Sequence, residues 1–240
     1  KKTDKTQDNK DIAIIGMACR FPGAKTIQEL WDVIKNGKET ITFFSREELD
    51  KSIPESLRND PLYVTARGIL PSAKTFDASF FGLNPMVAKA MDPQQRIFLE
   101  IAWEALGQSG HLPSHYKGSI GVWSGCEINT YYENNIFLNQ ELKEQVGDLQ
   151  VYTVNGKDFI APRTSYHLNL KGPAVSVHSA CSTSLLAIAE AVMAIRNGQC
   201  DVALAGGSSV TAPIYSGHPY DEGFIKSPDG RTRPFEASGK

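Results

Sequence analysis

Apolar residues recur along this chain with two periods, and the alternation between them lays out its elements. Residues 182–196 carry Leu185, Ala189, Val192 and Ile195 at helical spacing, with Leu186 and Met193 widening the stripe; this predicts a helix with that face turned inward. Asn197-Gly198 supplies the stop, because glycine enters the left-handed conformation that closes a helix. Just upstream, Val175-Ser176-Val177 reads as a short strand that turns through small residues directly into the helix. Apolar runs at residues 11–16, 120–124 and 200–206 predict three further buried strands.

Start signals place two more helices. Thr26-Ile27-Gln28-Glu29 is a capping box opening a helix through Asn36-Gly37, with Ile27, Leu30, Trp31 and Ile34 on its apolar face. Asp92-Pro93 joins an N-cap acceptor to a first-turn proline, and Ile97, Phe98, Ile101, Ala102, Ala105 and Leu106 follow as a broad stripe. Gln94-Gln95-Arg96, between cap and stripe, reads as a solvated or locally paired face, with a functional contact as the alternative. Residues 158–170 read as helical, with Pro162 tolerable only near the start. Residues 38–90, with prolines at 54, 61, 71 and 85, are loop-rich, and residues 129–147 form a polar and aromatic excursion suited to covering an interface. Residues 1–10 lack periodicity and read as a linker or disordered terminus. Strands alternating with long helices predict an α/β layered fold, and no solenoid repeat competes with it.

Composition narrows the function classes. A net charge of −2 over 240 residues gives no electrostatic reason to invoke nucleic acid or an acidic membrane surface. No apolar run reaches the length of a membrane span, and the start has no signal-peptide core. The four cysteines, Cys19, Cys126, Cys181 and Cys200, are scattered without a CxxC pair; they suit neither a disulfide framework nor a zinc site, and imply a reducing, cytoplasmic compartment. His111 and His115 flank Pro113 and form no helical metal face; they read as surface loop residues, and His167 as structural. No metal site is expected.

One cysteine stands apart. Cys181 falls where the strand turns into the helix, beside backbone N–H groups that lack intrahelical partners and at the positive end of the helix dipole. Both effects favour a thiolate, the nucleophilic form. A buried structural thiol is the alternative, since free cysteine packs as a small hydrophobe. Ser179, Ala180, Ser182 and Thr183 leave room for a carbonyl at the sulfur, whereas a hydrolase elbow with glycines at both flanks does not match.

Ala180-Cys181-Ser182-Thr183-Ser184-Leu185 resembles the active-site segment of β-ketoacyl synthases, in particular the ketosynthase domains of modular polyketide synthases. Four other stretches resemble that family in the same order: residues 12–24 (IAIIGMACRFPGA), 91–110 (MDPQQRIFLEIAWEALGQSG), 157–173 (KDFIAPRTSYHLNLKGP) and 227–235 (SPDGRTRPF). His178 stands where the family more commonly has an acidic residue, and Thr183 where serine is usual.

The resemblance implies a thiolase-like α-β-α-β-α layered fold, of which residues 11–240 correspond to the N-terminal half. It implies an acyltransferase whose Cys181 takes an acyl group from an acyl carrier protein, with the Cys181 N–H as oxyanion donor, before decarboxylative Claisen condensation with a malonyl-carrier extender. Two histidines and a lysine for the second step belong to the other half of such a domain. Phosphopantetheine arrives on the carrier rather than as a bound cofactor. Partners implied are the carrier, other synthase domains and a second copy in a homodimer. A non-elongating ketosynthase that transfers or gates acyl chains, and a non-catalytic carrier-docking scaffold, are the alternatives.

Overall fold

The computed structural model describes residues 11–233 and 235–237. Its helices are α1 (Ile27–Lys35), α2 (Glu55–Arg58), α3 (Pro85–Ala90), α4 (Pro93–Ser109), α5 (Gln140–Val146), α6 (Asp148–Asn155), α7 (Ile160–His167) and α8 (Thr183–Arg196). Its strands are β1 (Thr42–Phe43), β2 (Tyr63–Val64), β3 (Ala66–Arg67), β4 (Ile120–Cys126), β5 (Ala174–Ser176), β6 (Val202–Ser208) and β7 (His218–Pro219).

The centre is a parallel sheet in the order β5-β4-β6, with Trp123 opposite Val175 on one side and Ala205 on the other. Side chains alternate across a sheet with period two, so each strand feeds two cores. Ile120 and Val122 join Leu99, Leu106, Ile160 and Leu170 beneath α4 and α7. Trp123 and Val177 point the other way and meet Ala187, Ala191, Ala194 and Cys200 beneath α8. A Cβ at Gly121 would stand 2.5 Å from the Trp123 ring, so glycine is what lets that ring lie flat along its own strand.

The first corrections to the pattern-based expectations concern burial. In α8 the alanines 187, 191 and 194 face the sheet, while Leu185 is 71% exposed and Ile188, Ala189 and Met193 are exposed too. Small residues win the inner face because they let the helix axis approach the sheet closely; of the bulkier stripe, Val192 is half-buried and Ile195 still packs against this core. Residues 11–16 form no strand: the segment has no ladder partner among the described residues, and Ile14 is 80% exposed. Gly16 instead lies against α4, where a Cβ would come within 2.5 Å of Ala105 O.

The start and stop signals hold. Thr26 Oγ1 accepts from Glu29 N at 3.2 Å while Glu29 Oε2 accepts from Thr26 N, the reciprocal capping box. Trp31 and Ile34 on that helix are nevertheless exposed, so its apolar face finds little cover here. Asp92 caps α4, and Gly110 ends it in the left-handed region at φ 73°. Pro162 falls in the first turn of α7, where its missing N–H costs no helical bond. The strand predicted over 200–206 runs two residues later, because Cys200 and Asp201 complete the turn from α8. The stretch 1–10, expected to be a linker, lies outside the described residues, as does Pro234 in the last family-like motif.

Candidate active site

The three parallel strands run to the same edge of the sheet, and a cleft of about 740 Å3 opens there. Carboxyl ends of parallel strands are where α/β sheets leave room for ligands. One wall is residues 18–22, a second is the exit of β4 (residues 125–128), a third is the exit of β6 (residues 207–210), and the fourth is the turn entering α8. Cys181 lies on that turn and is exposed to the cleft.

Local chemistry fixes the turn. Residues 180–182 form one tight 3-10 turn running into α8, and Ala180 takes φ 52°. Among the described residues only Asn169 shares a positive φ without being glycine. Left-handed backbone costs a residue with a Cβ about 1–2 kcal/mol, so the neighbouring contacts must hold it. They are visible: Ser179 N donates to Thr183 Oγ1 at 3.0 Å, Thr183 Oγ1 donates to Ala180 O at 2.8 Å, and Ser182 Oγ donates to Ser179 O at 2.9 Å. Thr183 therefore has a defined task here: its hydroxyl pins both sides of the turn.

Two glycines let the strand ends back directly onto this turn. A Cβ at Gly125 would stand 1.9 Å from Val177 O and 2.6 Å from Thr183 Cγ2. At Gly207 it would meet Ser184 Oγ at 3.0 Å and Gly125 O at 3.1 Å.

The cysteines separate by environment. Burial pushes the Cys126 thiol up to about 12, and it raises Cys19 and Cys200 as well. Cys19 and Cys200 are buried, Cys126 is half-buried at the cleft, and Cys181 is exposed. Of the histidines, only His178 lines the cleft; burial and the Lys157 charge lower its pKa, opposed by Asp158. His111 contacts Ser109 O, His115 contacts Ser114 Oγ, His218 contacts Ser227 O, and His167 is half-buried beside Arg163. No cluster of metal-ligating side chains occurs among the described residues.

Gln94-Gln95-Arg96 is not a solvated face. Gln94 is 0% exposed and Gln95 2%, and Arg96 stacks at 5.6 Å over the Tyr131 ring. The amides are buried because they complete loop backbones: Gln95 Nε2 donates to Gly156 O at 3.0 Å, and Gln94 bonds both strand exits of the cleft. Running the Ile97 and Ile101 stripe back by one turn lands on Gln94, and that was the available signal. Arg20 was missed similarly. It lines the cleft and fastens residues 18–22 to α4 through a two-pronged ion pair with Glu104.

Comparisons with known proteins give one answer. Residues 9–240 match the family described as beta-ketoacyl synthase, N-terminal domain. The chain is 38% identical over 232 residues to a phenolphthiocerol/phthiocerol polyketide synthase of Mycobacterium tuberculosis, covering 94% of itself and 16% of that protein. It is 38% identical over 241 residues to pikromycin polyketide synthase component PikAII of Streptomyces venezuelae, covering 96% of itself and 6% of that protein. Ketosynthase twelve from the bacillaene polyketide synthase of Bacillus amyloliquefaciens superposes with a TM-score of 0.82 at 33% identity, over 94% of this chain and 39% of that one.

Proposed function

The chain belongs to the β-ketoacyl synthase family as its N-terminal domain, with the thiolase-like α/β fold of polyketide synthase ketosynthases, and from that premise we propose that Cys181 is the acyl-accepting nucleophile. The observation that carries this is position: the one exposed cysteine among the four sits on a strained turn at the mouth of the strand-end cleft.

In the first step the Cys181 thiolate attacks the carbonyl carbon of a carrier-bound acyl thioester. A C–S bond forms, the oxyanion is met by the Cys181 N–H at the helix start, and collapse breaks the carrier's own C–S bond and expels the carrier thiolate, which takes up the proton that Cys181 released on ionising. Thioester exchange is nearly balanced, so the acyl group stays activated. In the second step a malonyl thioester loses carbon dioxide; its enolate attacks the held acyl carbon, forming the C–C bond and returning Cys181 as thiolate. Enolate stabilisation needs donors that His178, the one histidine at the cleft, cannot supply alone; the family's remaining histidines and lysine would complete the site. Residues 11–240 act here as the N-terminal half of a ketosynthase.

The exposed apolar residues of α8 and of the segment at 14–21 suit a surface covered by the rest of the domain. Partners are the phosphopantetheinylated carrier protein, neighbouring synthase domains and a second copy meeting near the edge strand β5. No helix among the described residues is long and apolar enough to cross a membrane; free thiols suit the cytoplasm. Supplying acyl-carrier and malonyl-carrier to the complete ketosynthase tests the reading by product analysis. β-Ketoacyl product establishes elongation. Acyl-Cys181 without product favours the transferring alternative, and carrier binding without acylation favours the scaffold.

A further inference from the structure

Resting on the assignment of Cys181 as nucleophile, we propose that Gln94 is a positioning residue that sets the width of the acyl cleft. Its side chain is fully buried yet every polar atom is engaged. Nε2 donates to Glu127 O at 3.2 Å, and Oε1 accepts from Glu127 N at 3.1 Å. Glu127 N is shared between Gln94 Oε1 and Ser208 O, 3.2 Å away on β6, so the carboxamide pairs with Glu127 as a peptide would at the place where the β4–β6 ladder ends. Oε1 also accepts from Val210 N at 3.3 Å, so one side chain ties the exit of β4 to the exit of β6.

Those exits are two walls of the cleft, and both back onto the nucleophile turn through Gly125 and Gly207. Gln94 is itself held: Nε2 donates to Asp92 Oδ2 at 3.0 Å, and its backbone N donates to Asp92 Oδ1 at 2.9 Å. Ile97 and Ile101, the next residues along its stripe, line the cleft directly. The long helix α4 therefore gauges the distance from strand exits to sulfur, and Gln94 is its contact point. Gln94 touches no reacting atom; it acts through Glu127 and Val210.

The test uses the complete ketosynthase, with Gln94→Met and Gln94→Glu. Acyl loading from an N-acetylcysteamine acyl thioester, which needs the shaped cleft, is compared with alkylation by iodoacetamide, which needs only an open thiol. Gln94→Met should load about 10- to 100-fold more slowly while alkylating within about two-fold of the parent, since misplacement near 1 Å carries penalties of that order. Gln94→Glu retains volume and becomes an amide mimic when protonated. Relative to the parent at each pH, its loading should rise as pH falls from 8 toward 6. The charged and titratable groups around this position are Asp92 at the cap of α4, Arg96 on α4, Cys126 and Glu127 at the β4 exit, and Tyr131. Parent-like loading in both variants, or loading and alkylation falling together with no pH recovery, overturns the positioning role. Failure of the underlying assignment looks different: Cys181→Ala would then still take up the acyl group.

Discussion

Replacing Gly125 by alanine should disable the site from beneath. The added Cβ would stand 1.9 Å from Val177 O, a backbone atom that cannot rotate away, and 2.6 Å from Thr183 Cγ2. Relief requires the strand exit and the nucleophile turn to part by roughly 1 Å, an overpacking strain that typically costs 1–3 kcal/mol. The same motion strains the bond from Val177 N to Ser124 O, now 2.9 Å, which is worth about 1 kcal/mol more. Because Cys181 lies four residues beyond Val177, loading should fall about 100-fold. Denaturant unfolding and acyl loading of Gly125→Ala, measured on the complete ketosynthase, read the two effects. Gly107→Ala is the control: exposed on α4, with nothing within 4 Å of the new Cβ, it should gain about 0.5–1 kcal/mol and load normally. Parent-like stability and loading in Gly125→Ala would refute the idea that the turn is pressed against the strand end.

Other expectations follow from cap, charge and thiol. Thr26→Ala breaks the capping box and should cost about 1 kcal/mol, read by denaturant unfolding against a Glu29→Gln companion. Burial raises the Asp92 carboxyl to about 6 from 3.8, so the folded state holds its proton more tightly than the unfolded chain. Stability should therefore fall as pH rises from about 4 to about 6, by a total on the order of 3 kcal/mol, and level off above. Asp92→Asn should flatten that part of the curve; an unchanged slope would place the titration elsewhere. Iodoacetamide at pH 7.5 should label Cys181 in the folded protein and spare Cys126, whose pKa near 12 leaves a thiolate fraction below about one in ten thousand.

Signals encoded in neighbouring residues were legible in the sequence. Asp92-Pro93, the Thr26–Glu29 pair and Asn197-Gly198 mark helix ends by local hydrogen bonding, and the structure uses them where they stand. The runs beginning near 120 and 200 became neighbouring parallel strands, since each supplies apolar side chains to both faces. The turn carrying Cys181 was legible because small residues interrupt an apolar strand just before a helix. Burial direction was not legible where packing geometry outweighs hydrophobicity. In α8 the alanines take the positions closest to the sheet; Leu185, Ala189 and Met193 of the expected stripe point outward, while Val192 is half-buried and Ile195 packs at the edge of that core. Residues 11–16 look like a strand but have no ladder partner among the described residues. Gln94 escaped because an amide scores as polar, while its role, completing the backbone of two loops far along the chain, is a tertiary property.

Whether Cys181 is the acyl acceptor is decided by peptide mapping of the complete ketosynthase after exposure to an acyl-carrier thioester. One acyl adduct is expected, on the peptide containing Cys181, and none in Cys181→Ala. An adduct that persists in Cys181→Ala, at Cys126 or Cys200, would contradict the assignment.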